Sequence, residues 1–150
     1  MVPRKAVGVV SDETAFRNGA CHCGGVRFTV VLPRTLRGAR CNCSICRMKG
    51  VVMVAASLDA LQVTQGTELL TAYSFNTGAA KHHFCSRCGI HVYHQRRVDP
   101  SQVGVNAACL EEVSPYDFAE VPVSDGVNHP LDNGGRFRVV GTLRFEPAKD

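Results

Sequence analysis

The sequence predicts a mostly β domain of eight to ten short strands, and three observations carry that class. Apolar residues recur in short runs that alternate with polar ones or are rich in β-branched types. Clusters of Gly, Pro, Asn and Asp separate those runs. No segment sustains a helical period over about three turns. At 150 residues the chain suits one domain with one core.

In chain order, residues 1–18 have mixed composition and no period, which predicts an N-terminal arm ahead of a domain spanning 19–146. Gly24-Gly25 releases the chain into Val26 to Leu32, an alternating strand ended by Pro33. Val51 to Ala56 is a short apolar run, read as a buried strand. Ser57 to Ala60 has room for one helical turn, and Leu61 to Gln65 alternates again. Leu69 to Phe75 and Ala80 to Phe84 form a hairpin across Asn76-Thr77-Gly78. Ile90 to His94 follows as another strand, so Cys85 to Gly89 is a tight turn between two strands. An apolar segment at 101–110, a strand at 117–123 and a closing strand at 136–145 complete the reading, with turn formers at 125–130 and 132–135.

Composition decides against several classes. Hydrophobic residues at 45% and charged residues at 20% match average globular usage, not disorder or a membrane protein. No apolar run approaches the roughly 20 residues of a spanning helix. Residues 1–18 lack the apolar core of an export signal, so a soluble cytoplasmic protein is expected. The net charge is +4, and the 13 arginines are scattered; Arg34, Arg37, Arg40 and Arg47 are the nearest approach to a basic footprint, which disfavours nucleic acid as partner.

Seven of the eight cysteines fall in three clusters: Cys21-His22-Cys23, Cys41-Asn42-Cys43-Ser44-Ile45-Cys46 and Cys85-Ser86-Arg87-Cys88-Gly89. Without an export signal, thiols in such clusters point to metal rather than disulfides. A Cys-x-x-Cys-Gly turn between strands converges two sulfurs on one zinc, whereas the thioredoxin-type redox pair opens a helix. In an extended Cys-x-Cys both sulfurs face the same way. If each cluster stays whole, Cys21, Cys23, Cys85 and Cys88 make a closed four-ligand site, and Cys41, Cys43 and Cys46 make a site of three with room for an exchangeable fourth group. Cys109 or a histidine such as His22, His82 or His91 could instead close the second site. Cys109 sits in an apolar segment, where cysteine is usually a small buried hydrophobe. His82 and His83 could orient ligands through hydrogen bonds.

These clusters, with Gly19-Ala20 before the first, His82-His83-Phe84 before the third, and the later stretches Val105 to Leu110 and Asp125 to Pro130, resemble the glutathione-dependent formaldehyde-activating enzyme family, also seen in centromere protein V. The resemblance runs from about Gly19 to about Pro130. It implies a mostly β, Mss4-like fold of several small coiled antiparallel sheets stapled by zinc. It implies two zinc ions per chain, one structural at Cys21, Cys23, Cys85 and Cys88 and one more loosely held at Cys41, Cys43 and Cys46. The implied activity is that of a carbon-sulfur lyase joining glutathione to formaldehyde as S-(hydroxymethyl)glutathione, and reversing the step.

That chemistry suits the three-cysteine site. A thiol entering the fourth position loses its proton, and its thiolate attacks a small carbonyl carbon. Three protein thiolates weaken zinc as a Lewis acid, so thiol activation and aldehyde positioning are its expected roles. Arg40, Arg47 and Lys49 are candidate partners for the carboxylates of glutathione. Asn42 and Ser44 could hydrogen-bond sulfur or substrate, or serve the turn. The rival expectation is a zinc module that binds protein or nucleic acid without catalysis.

Overall fold

The structure is a computed structural model and describes residues 13–150. Among these it contains eleven strands: β1 (Thr14–Ala20), β2 (Arg27–Pro33), β3 (Arg40–Cys41), β4 (Met53–Ser57), β5 (Leu61–Gln65), β6 (Leu70–Tyr73), β7 (Lys81–Cys85), β8 (His91–Gln95), β9 (Gln102–Asn106), β10 (Glu120–Ser124) and β11 (Val139–Arg144). A single α-helix, α1 (Ser44–Lys49), joins them. The strands form three small sheets in the orders β1-β2-β5, β4-β9-β8-β7-β6 and β11-β10-β3. Pairing is antiparallel throughout, except for the two-residue parallel match of β3 with β10. The mostly β class with several small sheets is therefore the fold of this chain.

The core lies between the first sheet and the five-stranded one. Phe28, Val30 and Leu32 alternate along β2 and so leave one face of it. They pack in one cluster with Val54 of β4, Val92 of β8 and Val103 and Val105 of β9. Gly19 lies opposite Phe28 in the β1–β2 register, and a Cβ there would stand 2.2 Å from the ring, so only glycine lets the ring cross β1.

Register irregularities fall at Arg27/Phe28 in β2, His83/Phe84 in β7 and Val123/Ser124 in β10. Each lies beside a cysteine-bearing segment, where a bulge can re-aim a strand end. The third coincides with the pairing of Ser124 to Cys41.

Two elements differ from expectation. Residues 1–18 are expected as an arm; 1–12 lie outside the described residues, but Thr14–Ala20 is a strand paired with β2 along its whole length. It is an outer strand with little burial, held by backbone hydrogen bonds, and therefore carries no apolar alternation. The second is α1, which at six residues is too short to show a period. Cys43 caps its start, and Gly50, in the left-handed region at φ 64°, ends it by donating to the Cys46 carbonyl.

Phe28→Ala removes the largest fully buried side chain of the core. It should cost about 3–5 kcal/mol and lower Tm by about 6–20 °C in a thermal melt, whereas Phe16→Ala, on a side chain 50% exposed, should move Tm by no more than about 2 °C.

Candidate functional site

Two thiol clusters emerge from this framework. In the first, Cys21 follows β1, Cys23 lies in the turn into β2, Cys85 ends β7, and Cys88 lies in the turn into β8. The β7–β8 turn closes through Gly89, whose amide donates to the Cys85 carbonyl at 2.8 Å with φ at 76°. The amides of Gly25 and Val26 point at the Cys23 and Cys21 sulfurs, at 3.4 and 3.2 Å. All four sulfurs lie within 4.8 Å of one another. Cys21 Sγ is 3.5 Å from Cys23 Sγ, which is 3.8 Å from Cys85 Sγ. Those spacings are far too long for a disulfide bond, while sulfurs about 2.3 Å from a tetrahedral zinc lie about 3.8 Å apart. The donor set fits such an ion. Burial opposes the Cys88 thiolate, but the Cys23 and Ile90 amides and neighbouring thiols outweigh it and bring its pKa down to about 6.

The second cluster is built differently. β3 carries Cys41, the next turn carries Cys43 at the start of α1, and Cys46 lies in its first turn. The Asn42 amide donates to the Ser124 carbonyl at 3.2 Å. Its side-chain oxygen accepts from the Gly126 and Val127 amides at 2.8 and 3.0 Å, fixing the 125–127 loop against the thiols. A Cβ on Gly126 would stand 2.3 Å from Cys41 Sγ, so the loop approaches that closely only as glycine. The three sulfurs again lie within 4.8 Å of one another, and each residue is half-buried. They share charge unequally. Hydrogen bonds from Cys41 and Cys46 favour a thiolate on Cys43 and bring its pKa down to about 2. The same contacts, followed by burial, push Cys46 up, and contact with Cys43 raises Cys41. The trio thus concentrates negative charge where a cation would relieve it.

Beside the trio opens a cleft of about 740 Å³. Arg40, Asn42 and Arg47 line it with the three cysteines. Across from them stand residues the sequence did not single out as substrate partners: His94, Arg96 and Arg97 from β8 and beyond, and His129 and Asp132 from the loop before β11. Arg97 grips Asp132 through two bonds of 2.7 Å. Phe75, Val127 and Phe137 add an apolar wall. His91 and His94 are three residues apart on β8, and the register shift at His83/Phe84 brings their rings within 6.0 Å of each other; neither that bulge nor the distant loops that complete the cleft left a local signal in the sequence.

Lys49 turns away from the place expected of it. Its Nζ lies 3.1 Å from His82 Nδ1 and 3.4 Å from His91 Nε2, beneath the trio. Burial lowers its pKa, against the opposing charge of Cys46, Cys43 and Cys41. Burial and then Lys49 also lower the histidines, His82 to about 4, His91 to about 2 and His94 to about 3, so all three rings are neutral at neutral pH. His82 and His91 are thus occupied by a lysine, and the described thiol trio stands without a histidine. Cys109 is buried, its thiol pushed up to about 12 by burial, as expected of a packing residue.

The sequence profile of glutathione-dependent formaldehyde-activating enzymes matches residues 16–121, a span that includes all eight cysteines. The chain belongs to the glutathione-dependent formaldehyde-activating enzyme family. A Halomonas elongata protein that bears the family's name provisionally is 39% identical over 79 residues, covering 47% of this chain and 50% of the relative. The match thus spans about half the length of that relative. A crystal structure of a Rhodobacter sphaeroides protein is similar with 48% identity and a TM-score of 0.68, over 71% of this chain and 98% of the other. No helix among the described residues is long and apolar enough to cross a membrane.

Two outcomes follow from the unlike clusters. Cys85→Ser strikes a fully buried sulfur that ties two sheets and should cost about 3 kcal/mol, a Tm loss of about 6–12 °C in metal-loaded protein; Cys43→Ser, half-exposed, should change Tm by far less. A thiol must lose its proton to bind metal, so raised pKa values make binding more sensitive to acid. The trio offers one thiol fewer than the four-thiol cluster, and two of its members, Cys41 and Cys46, are raised against the lowered Cys43, so acidification from pH 8 to 5 should release metal from the trio first, read with a chromophoric chelator on wild type and Cys43→Ser.

Proposed function

We propose that this protein is a zinc-dependent carbon-sulfur lyase that forms and cleaves the adduct of a thiol with a small aldehyde. Its family supports glutathione as the thiol and formaldehyde as the aldehyde. The observation that carries this reading is the trio Cys41, Cys43 and Cys46, converged and half-exposed on the wall of a cleft whose volume lies within the ~300–1,000 Å³ of sites that enclose small ligands. In this reading each chain holds two zinc ions, a structural one at Cys21, Cys23, Cys85 and Cys88 and a second at the trio. Zinc held by Cys41, Cys43 and Cys46 would supply the positive charge that keeps a substrate thiol deprotonated near neutral pH.

The chain's own residues then do the rest. The three cysteines fix where the substrate sulfur sits. Arg40 and Arg47 on the same wall receive substrate carboxylates through charge-assisted hydrogen bonds. Asn42 serves indirectly, by holding the 125–127 loop that forms the cleft's edge. Phe75, Val127 and Phe137 give the cleft an apolar, solvent-facing edge. Addition joins the thiolate sulfur to the carbonyl carbon, the π pair moves to oxygen, and the oxygen gains a proton; cleavage reverses each change. All eight cysteines are unbridged, which supports a reducing, cytoplasmic setting.

With zinc-loaded protein, S-(hydroxymethyl)glutathione should form faster than the spontaneous rate. Cys43→Ser and Cys46→Ser should abolish the excess while retaining the structural metal by elemental analysis. Arg47→Ala should raise KM for glutathione several-fold, with kcat changed less. A wild-type rate equal to the buffer control would reject the named reaction.

A further inference from the structure

The proposed addition develops negative charge on the carbonyl oxygen, and a metal already holding three thiolates is a poor acceptor for it. The cleft therefore needs a hydrogen-bond donor of its own. His82, on β7, meets three conditions for that part.

First, its tautomer is set. Lys49 Nζ lies 3.1 Å from His82 Nδ1; a lysine ammonium only donates, so Nδ1 accepts and the ring proton sits on Nε2. Second, that proton is unused. His82 is 4% exposed, and its Nε2 is buried with no hydrogen-bond partner among the described residues. A buried donor left unpaired costs about 1–3 kcal/mol, which is rare unless a ligand completes it. Third, the ring is in the right place and held there. His82 lines the same cleft as the three cysteines, within reach of the charge on Cys43. It stacks on His94 at 5.3 Å and 20° and on Phe75 at 6.0 Å and 26°. Lys49, three residues after Cys46 on α1, thus couples the thiol-bearing helix to the donor's orientation.

Resting on the lyase reading above, we infer that the Nε2–H of His82 is the donor to the substrate oxygen, and that Lys49 is the positioning residue that fixes its tautomer. As the thiolate's electron pair forms the C–S bond and the C=O π pair moves to oxygen, His82 Nε2–H hydrogen-bonds the oxygen while His82 stays neutral. The oxygen becomes a hydroxyl with a proton from water, replacing the one the thiol released. In cleavage, the same bond holds the hydroxyl oxygen as it becomes a carbonyl. A neutral imidazole used as an electrophile avoids the acidic conditions an imidazolium would need here.

The test pairs kinetics with imidazole NMR on zinc-loaded protein. His82→Phe, which keeps a stacking ring but no donor, should lower kcat by about 10²–10³-fold, the usual effect of removing one such donor, with zinc content and KM for glutathione unchanged. His82→Gln, whose amide can donate, should recover part of the rate. In wild type, the ¹⁵N spectrum should show His82 protonated at Nε2, with that resonance moving on addition of glutathione plus formaldehyde but not glutathione alone; Lys49→Met should lose the fixed tautomer and lower kcat. A wild-type excess rate that His82→Phe retains would overturn this inference and leave the lyase reading standing. No excess rate in wild type, with an unmoved Nε2 resonance, would overturn both. Should His82→Phe fail to fold, the wild-type spectrum decides: a proton on Nδ1, or an Nε2 resonance indifferent to the adduct, rejects the role.

Discussion

The architecture depends on the meeting of four sulfurs from two sheets. Cys21 and Cys23 lie in the β1–β2 loop, Cys85 and Cys88 in the β7–β8 turn, 62 residues apart along the chain between Cys23 and Cys85, yet those two sulfurs stand 3.8 Å apart. Each sheet is too small to bury much apolar surface by itself, and the shared core beneath Phe28 is modest in extent. A metal held at this point would tie the first sheet to the five-stranded one. It would also fix the start of β8 and the end of β7, and with them the histidines that face the cleft. Structure and chemistry thus share one anchor.

The second cluster answers to different forces. Its three thiols are close enough to trade protons, so that a thiolate on Cys43 is favoured at the expense of Cys41 and Cys46. They sit half-exposed, on a two-residue strand and the first turn of a six-residue helix, braced by Asn42 and by the close approach of Gly126. A cluster so placed concentrates charge at a solvent-facing wall instead of closing over it. Four sulfurs, with Cys21 and Cys85 buried and Cys23 and Cys88 nearer solvent, make up a full tetrahedral donor set, whereas three at a cleft leave room for an exchangeable group. Lys49 adds a half-buried amine near the trio, tied to two neutral rings.

What the sequence made legible follows from how local each signal is. Cysteine spacing is local, so both donor sets could be counted from the chain alone. Strands with a buried face, such as β2, betray themselves by alternation. Thr14–Ala20 does not, because backbone pairing with β2 holds it and little of it is buried. Lys49 lies near the motif in sequence, which suggested a substrate contact, but its position three residues past Cys46 turns it under the trio toward β7 and β8. Arg96, Arg97, His129 and Asp132 reach the cleft only through the folding of distant loops, and no spacing rule could have gathered them. The role of Asn42 was likewise hidden, since its partners are the amides of residues more than eighty positions away.

The central claim is that one thiol cluster is closed and the other keeps a place for substrate sulfur. Zinc K-edge X-ray absorption during a zinc titration tests it most directly. The first equivalent should enter a shell of four sulfurs, and the difference spectrum of the second should show three sulfurs and one lighter donor that is replaced by a fourth sulfur when glutathione is added. A second equivalent that already has four sulfurs without added thiol, or that keeps its lighter donor in the presence of glutathione, would contradict the account.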